Sequence, residues 1–129
     1  MKLRSPLGQV LGLGAAGDGP AHWWAQRVSA VGVALLTIWF LVSLAGLDLV
    51  DHGELARWIA TPFNSVLTVL LLAVTSYHSN LGLQEVIVDY VGGWMRVASL
   101  LVVQFLHVVL AGIGIAAVLR WQWVDRHEG

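Results

Sequence analysis

The stretch Ile59–Gln84, IATPFNSVLTVLLLAVTSYHSNLGLQ, runs for 26 residues without an Asp, Glu, Lys or Arg, and its only ionisable side chains are Tyr77 and His78. About 20 mostly apolar residues suffice for a helix to cross a ~30 Å hydrocarbon core, so this stretch reads as a membrane span. Two more of the same kind flank it. Val28–Leu47 contributes 20 uncharged residues, and Val97–Leu119 contributes 23, in which His107 is the only ionisable group. Backbone groups in lipid have no water to bond and must be satisfied within the segment, which makes helices the default. The ~10-residue alternation of a membrane β-barrel is absent. The sequence predicts an all-α integral membrane protein with three transmembrane helices, at about 28–47, 59–84 and 97–119. The short connections make sequential helices antiparallel neighbours in a bundle. Around the spans the division is an N-terminal arm (1–27), a transmembrane domain (28–120) and a short C-terminal tail (121–129).

Composition agrees with the spans. Of 129 residues, 57% are hydrophobic and only 12% charged, about half the ~25% of an ordinary soluble domain. Seven Lys+Arg against eight Asp+Glu, with no cluster of either sign, exclude a basic nucleic-acid binder. The absence of cysteine removes disulfide frameworks, thiolate metal sites and thiol catalysis. Trp23, Trp24, Trp58, Trp94, Trp121 and Trp123 all fall at the edges of the apolar runs, where an interfacial belt places amphipathic rings, and only Trp39 lies mid-span. Arg27, Arg57, Arg96 and Arg120 flank the runs in the same way. Four Lys/Arg on the N-terminal side of the membrane against three on the other favour a cytoplasmic N-terminus. The first residues do not read as a secretory signal, because Lys2 and Arg4 precede a glycine-rich stretch, Gly8 to Gly19, rather than a short apolar core.

Ionisable groups at membrane depth are costly and face a bundle interior, a cofactor or an ion path. His78 lies seven residues, or ~10 Å, from the Glu85 end of its helix. A neutral imidazole is a standard haem axial ligand, and Gly82, four residues on, leaves room on the same face for a flat macrocycle. An interhelical hydrogen bond, worth about 1 kcal/mol in a membrane bundle, accounts for a lone histidine equally well. His107, ~16 Å from Arg96, would lie at similar depth. A bis-histidine haem within one chain is therefore geometrically conceivable, but for His107 the hydrogen-bonding reading is the better one. Gly112, Gly114 and Ala116 nearby read as a close-packing face.

The segment Tyr77-His78-Ser79-Asn80-Leu81-Gly82, followed by Asp89-Tyr90 at eleven and twelve residues from the histidine, resembles the smaller of the two membrane-anchor subunits of succinate dehydrogenase, respiratory complex II. Leu3-Arg4-Ser5-Pro6-Leu7-Gly8, Gly12-Leu13-Gly14 and His22-Trp23-Trp24-Ala25-Gln26-Arg27-Val28-Ser29-Ala30 are similar to the alphaproteobacterial form. The family's usual Thr after Gln-Arg-x is Ser29 here, which keeps the hydroxyl. The resemblance runs from about residue 3 to the third helix.

The resemblance implies a subunit without catalytic residues or activity of its own in a succinate:ubiquinone oxidoreductase of the bacterial cytoplasmic membrane. It implies His78 as one axial ligand of haem b, the second coming from a partner, the other membrane-anchor subunit. It implies Tyr90 as a hydrogen-bond donor to ubiquinone, with Asp89 beside it, and Arg27 near the haem propionates and quinone pocket. It implies a flavoprotein subunit and an iron–sulfur subunit as soluble partners, the lipid membrane as environment, and no nucleic acid. Two alternatives stand at this point: a non-enzymatic scaffold or transporter subunit, and the equivalent anchor of a fumarate reductase. The first would leave the spacing from His78 to Asp89-Tyr90 unexplained.

Overall fold

A computed structural model describes residues 15–128, which form four helices in chain order: α1 (Ala15–Ala45), α2 (His52–Ala60), α3 (Pro62–Tyr90) and α4 (Gly93–Glu128). Three of them are long and apolar enough to cross a membrane, over Gly19–Ala45, Pro62–Tyr90 and Gly93–Val124, and α3 has the lowest mean hydropathy of the three. The helix α3 is central, with α1 packed on one side and α4 on the other. The three expected spans are therefore present and packed as an antiparallel bundle.

The helices outrun the spans expected from the sequence. At 1.5 Å per residue the 29 residues of α3 and the 36 of α4 reach about 43 and 54 Å, well beyond a ~30 Å core. A helix has no reason to stop where lipid stops, so α3 carries on through Asp89 and Tyr90, and α4 carries the expected tail to Glu128. Residues 15–27 of the expected arm are helical and continuous with the first span in α1. Pro20 is the sixth residue of α1 and, lacking an N–H, cannot bond the carbonyl four residues back. The motif at Leu3–Gly14 and the charges Lys2 and Arg4 lie outside the described residues.

The first connection also differs from the plain loop expected. Asp51 is an N-cap whose carboxylate accepts from the backbone N–H of Gly53 (2.8 Å) and Glu54 (3.3 Å), starting the nine-residue α2. Thr61 ends α2 and Pro62 starts α3, a position where the missing N–H costs nothing. This turn brings Trp58 onto Trp39, ring centroids 5.9 Å apart and stacked, with Phe40 and Phe63 edge-on around them. Trp39 is thus the centre of an aromatic cluster at one end of the bundle. The second connection is only Val91–Gly92; Gly93, at φ +62°, occupies a backbone region that side-chain-bearing residues avoid. The Arg96 guanidinium Nε–H donates to the Val91 carbonyl (2.7 Å) and closes the turn.

Among the described residues only Leu81, Ile87 and Val118 are buried apolar side chains, beside buried Ser29, Ser65 and Thr68. Lipid solvates apolar side chains as well as another helix does, so association rests on small residues and polar pairs instead. Both are present. A Cβ at Gly32 would lie 3.2 Å from Val74 Cγ1, and one at Gly114 3.2 Å from Leu72 Cδ1. Gly114→Leu is expected to destabilise the bundle by about 1–3 kcal/mol through overpacking against Leu72, read as a lowered midpoint of thermal unfolding in detergent.

Candidate functional site

One face of α1 carries polar or small side chains at helical spacing: His22, Gln26, Ser29 and Gly32. All four meet α3, descending along it. His22 Nε2 lies 3.2 Å from Glu85 Oε1, close but outside good hydrogen-bond geometry, and the Gln26 amide donates to Glu85 Oε2 (3.3 Å). Ser29 Oγ lies 2.9 Å from His78 Nδ1, and Gly32 packs on Val74. Ser29 is only 6% exposed. The Ser29 hydroxyl also donates to the Gln26 carbonyl one turn back (3.0 Å). A polar ladder therefore runs down the α1–α3 seam, from the end of the bundle into its depth.

His78 sits on that seam, near the middle of α3 and half-buried. Among the described residues its Nδ1 pairs with Ser29, while Nε2 has no hydrogen-bond partner. A Cβ built on Gly82 would meet nothing within 4 Å, so the same face of α3 is open one turn further on. The donor set and the space fit a flat macrocycle liganded by this imidazole. Among the described residues no group of three His, Asp or Glu side chains could itself hold a metal ion.

His107 has a different environment. Its Nδ1–H donates to the Val103 carbonyl in its own helix (2.8 Å), and Nε2 accepts from Ser79 Oγ across the α3–α4 seam (3.1 Å). Ser76 Oγ donates to the His107 carbonyl nearby (3.2 Å). Both ring nitrogens are thus engaged, Nδ1 within α4 and Nε2 in an interhelical hydrogen bond, the kind of contact the sequence reading favoured. Residues 78 and 79 project about 100° apart around a helix, so the two histidines reach similar depth on different seams.

At the end of the ladder a cleft of about 620 Å³ opens between α1 and α3, lined by Gly19, His22, Trp23, Gln84, Glu85, Val88 and Asp89. Asp89 belongs to it. Arg27 lies on its α1 side, with its guanidinium carbon 5.3 Å above the Trp23 ring. Arg27 is two residues from Ser29, nearly opposite it around α1, so it does not face His78. Tyr90, in the last turn of α3, is 85% exposed and does not line the cleft. The structure thus gathers Asp89 and Arg27 at one end, sets His78 deeper on the same seam, and leaves Tyr90 beside them on the outer surface. His22, Gln26, Glu85 and the contact of Ser29 with His78 were not singled out from the sequence. The repeat at residues 22, 26 and 29 was the visible signal.

The comparisons with known proteins identify the family. Residues 1–117 match the family described as succinate dehydrogenase/fumarate reductase transmembrane subunit. The chain is similar to the succinate dehydrogenase hydrophobic membrane anchor subunit of Paracoccus denitrificans, 32% identical over 101 residues, or 78% of each chain. It is also similar to subunits of the same name from Rickettsia conorii (32% over 79 residues, 60% of this chain and 63% of that one) and Rickettsia felis (34% over 77 residues, 60% and 64%). The match spans the polar ladder, His78, the first two membrane helices and most of the third, and the chain belongs to the succinate dehydrogenase/fumarate reductase transmembrane subunit family.

Proposed function

We propose that this chain is the smaller anchor of a succinate:ubiquinone oxidoreductase in a bacterial cytoplasmic membrane, its N-terminus on the cytoplasmic side. The observation that supports it most is His78: an imidazole at membrane depth, tied down through Nδ1 to buried Ser29, its Nε2 unengaged among the described residues beside the open face at Gly82. In this reading Nε2 would bind the iron of haem b, together with a histidine of the second anchor chain. A haem held there would supply one-electron chemistry close to the quinone site.

Reducing ubiquinone to its quinol takes two electrons and two protons, and negative charge develops on each carbonyl oxygen as electrons arrive. A donor already in place at that oxygen lowers the barrier. Tyr90 serves this role: its phenol stands exposed in the last turn of α3, at the level where the isoprenoid tail remains in lipid while protons arrive from water. Asp89, with His22 and Glu85 in the cleft beside it, offers carboxylate and imidazole groups that take up protons and pass them on. Arg27 supplies a fixed positive charge suited to a propionate or a developing oxyanion. The two soluble partners, flavoprotein and iron–sulfur subunits, carry out succinate oxidation and deliver the electrons.

An affinity-tagged chain, purified in mild detergent from its own membranes, is expected to bring down three partners: a flavoprotein, an iron–sulfur protein and a second three-helix chain. The preparation is expected to show a b-type band on dithionite reduction. Recovery of this chain alone or only with copies of itself, without haem, would sink the proposal.

A further inference from the structure

We propose that Ser29 is a positioning residue for His78: it fixes the tautomer of the imidazole so that Nε2 carries the lone pair. This rests on the reading of His78 as a haem ligand and deepens it. A serine hydroxyl has one proton to give. The Gln26 carbonyl, 3.0 Å from Ser29 Oγ and one turn back along α1, can only accept, so that proton is committed to it. What Oγ then turns toward His78 Nδ1, 2.9 Å away, is a lone pair, and the group that satisfies it is an Nδ1–H. A neutral imidazole carries its proton on one nitrogen only, so Nε2 is left with the pair that binds iron.

Burial makes the arrangement binding on the ring. With Ser29 only 6% exposed, water has little access to take over the bond to Nδ1. Glu85, the nearest carboxylate along α3, lies about two turns on and already accepts from the Gln26 amide. Ser29 is thus the group across the α1–α3 seam that speaks to the ring. The Nδ1–H···Oγ bond also makes the imidazole a stronger donor, which favours ferric over ferrous iron.

The test uses the intact complex carrying Ser29→Ala, Ser29→Thr or His78→Ala. Readouts are the optical redox titration of haem b and the low-spin ferric signal in electron paramagnetic resonance. The expected result is that Ser29→Ala shifts the midpoint potential upward and moves or broadens the ferric signal, while Ser29→Thr, which keeps the hydroxyl, restores both toward wild type. Haem lost in Ser29→Ala but regained in Ser29→Thr supports the same conclusion. A Ser29→Ala complex with unchanged potential and ferric signal overturns it, provided His78→Ala loses the haem. So does an Ala effect that Thr fails to reverse, which marks packing at this site instead of the hydroxyl. If His78→Ala leaves the haem untouched, it is the ligand assignment that fails.

Discussion

In the purified complex, His78→Ala is expected to abolish or shift the b-type band of the dithionite-reduced minus oxidised spectrum, whereas His107→Ala leaves that band unchanged. The two residues make a matched pair, because both are imidazoles at similar depth in neighbouring helices. Their surroundings differ in the one respect that matters for ligation. Among the described residues His78 Nε2 has no partner and the face beside it is open at Gly82, while His107 spends Nδ1 on Val103 and Nε2 on Ser79. Removing His107 breaks a clasp between α3 and α4 and is expected to cost about 1 kcal/mol of helix association. Loss of the band only in the His107 variant would reverse the assignment. An unaltered band in both would place the haem entirely on other chains.

Tyr90→Phe is expected to depress ubiquinone reduction roughly tenfold to a hundredfold while succinate oxidation by artificial dyes proceeds at the wild-type rate. A hydrogen bond to a charged group contributes about 1.5–3 kcal/mol, and each ~1.4 kcal/mol is a factor of ten in rate, which sets that range. The substitution removes one oxygen from a side chain that is 85% exposed and makes no hydrogen bond to the described residues. It therefore leaves the fold of this subunit undisturbed, and the dye assay checks that the soluble partners still assemble and turn over. Normal ubiquinone turnover in the variant would show that Tyr90 is an ordinary interfacial tyrosine.

The existence of the spans was legible because charge is absent over Val28–Leu47, Ile59–Gln84 and Val97–Leu119, and lipid permits little else. Their ends were not, since hydropathy marks where lipid stops and helical hydrogen bonding continues past it. Hence Asp89 and Tyr90 stand in the last turn of α3 instead of beyond it. The helix α2 had a local sign, Asp51 three residues before Glu54, that the charge-free runs on either side overshadowed. For the site, His78 was legible as a lone imidazole in an apolar run. Its partner was not, because one sequence gives the faces of α1 and α3 but not their mutual rotation. That rotation decides whether Ser29 or Val28 meets the ring, and whether Arg27 looks toward His78 or, as observed, over Trp23.

The two-residue link between α3 and α4 has a consequence for how the chain enters the bilayer. With α3 the least apolar of the three spans, burdened by Asn64, Ser65, Thr68, Ser76, His78, Ser79, Asn80 and Gln84, its transfer from the translocation channel into lipid is the least favourable of the three. Val91–Gly92, turning at Gly93, leave no slack for α4 to lag behind. The pair therefore partitions as one helical hairpin, in which the more apolar α4 carries α3 across and the Ser76 and Ser79 contacts to His107 form on the way in. The helix richest in chemistry is thus delivered by its neighbour during biogenesis, and lengthening the link is the change that would separate the two.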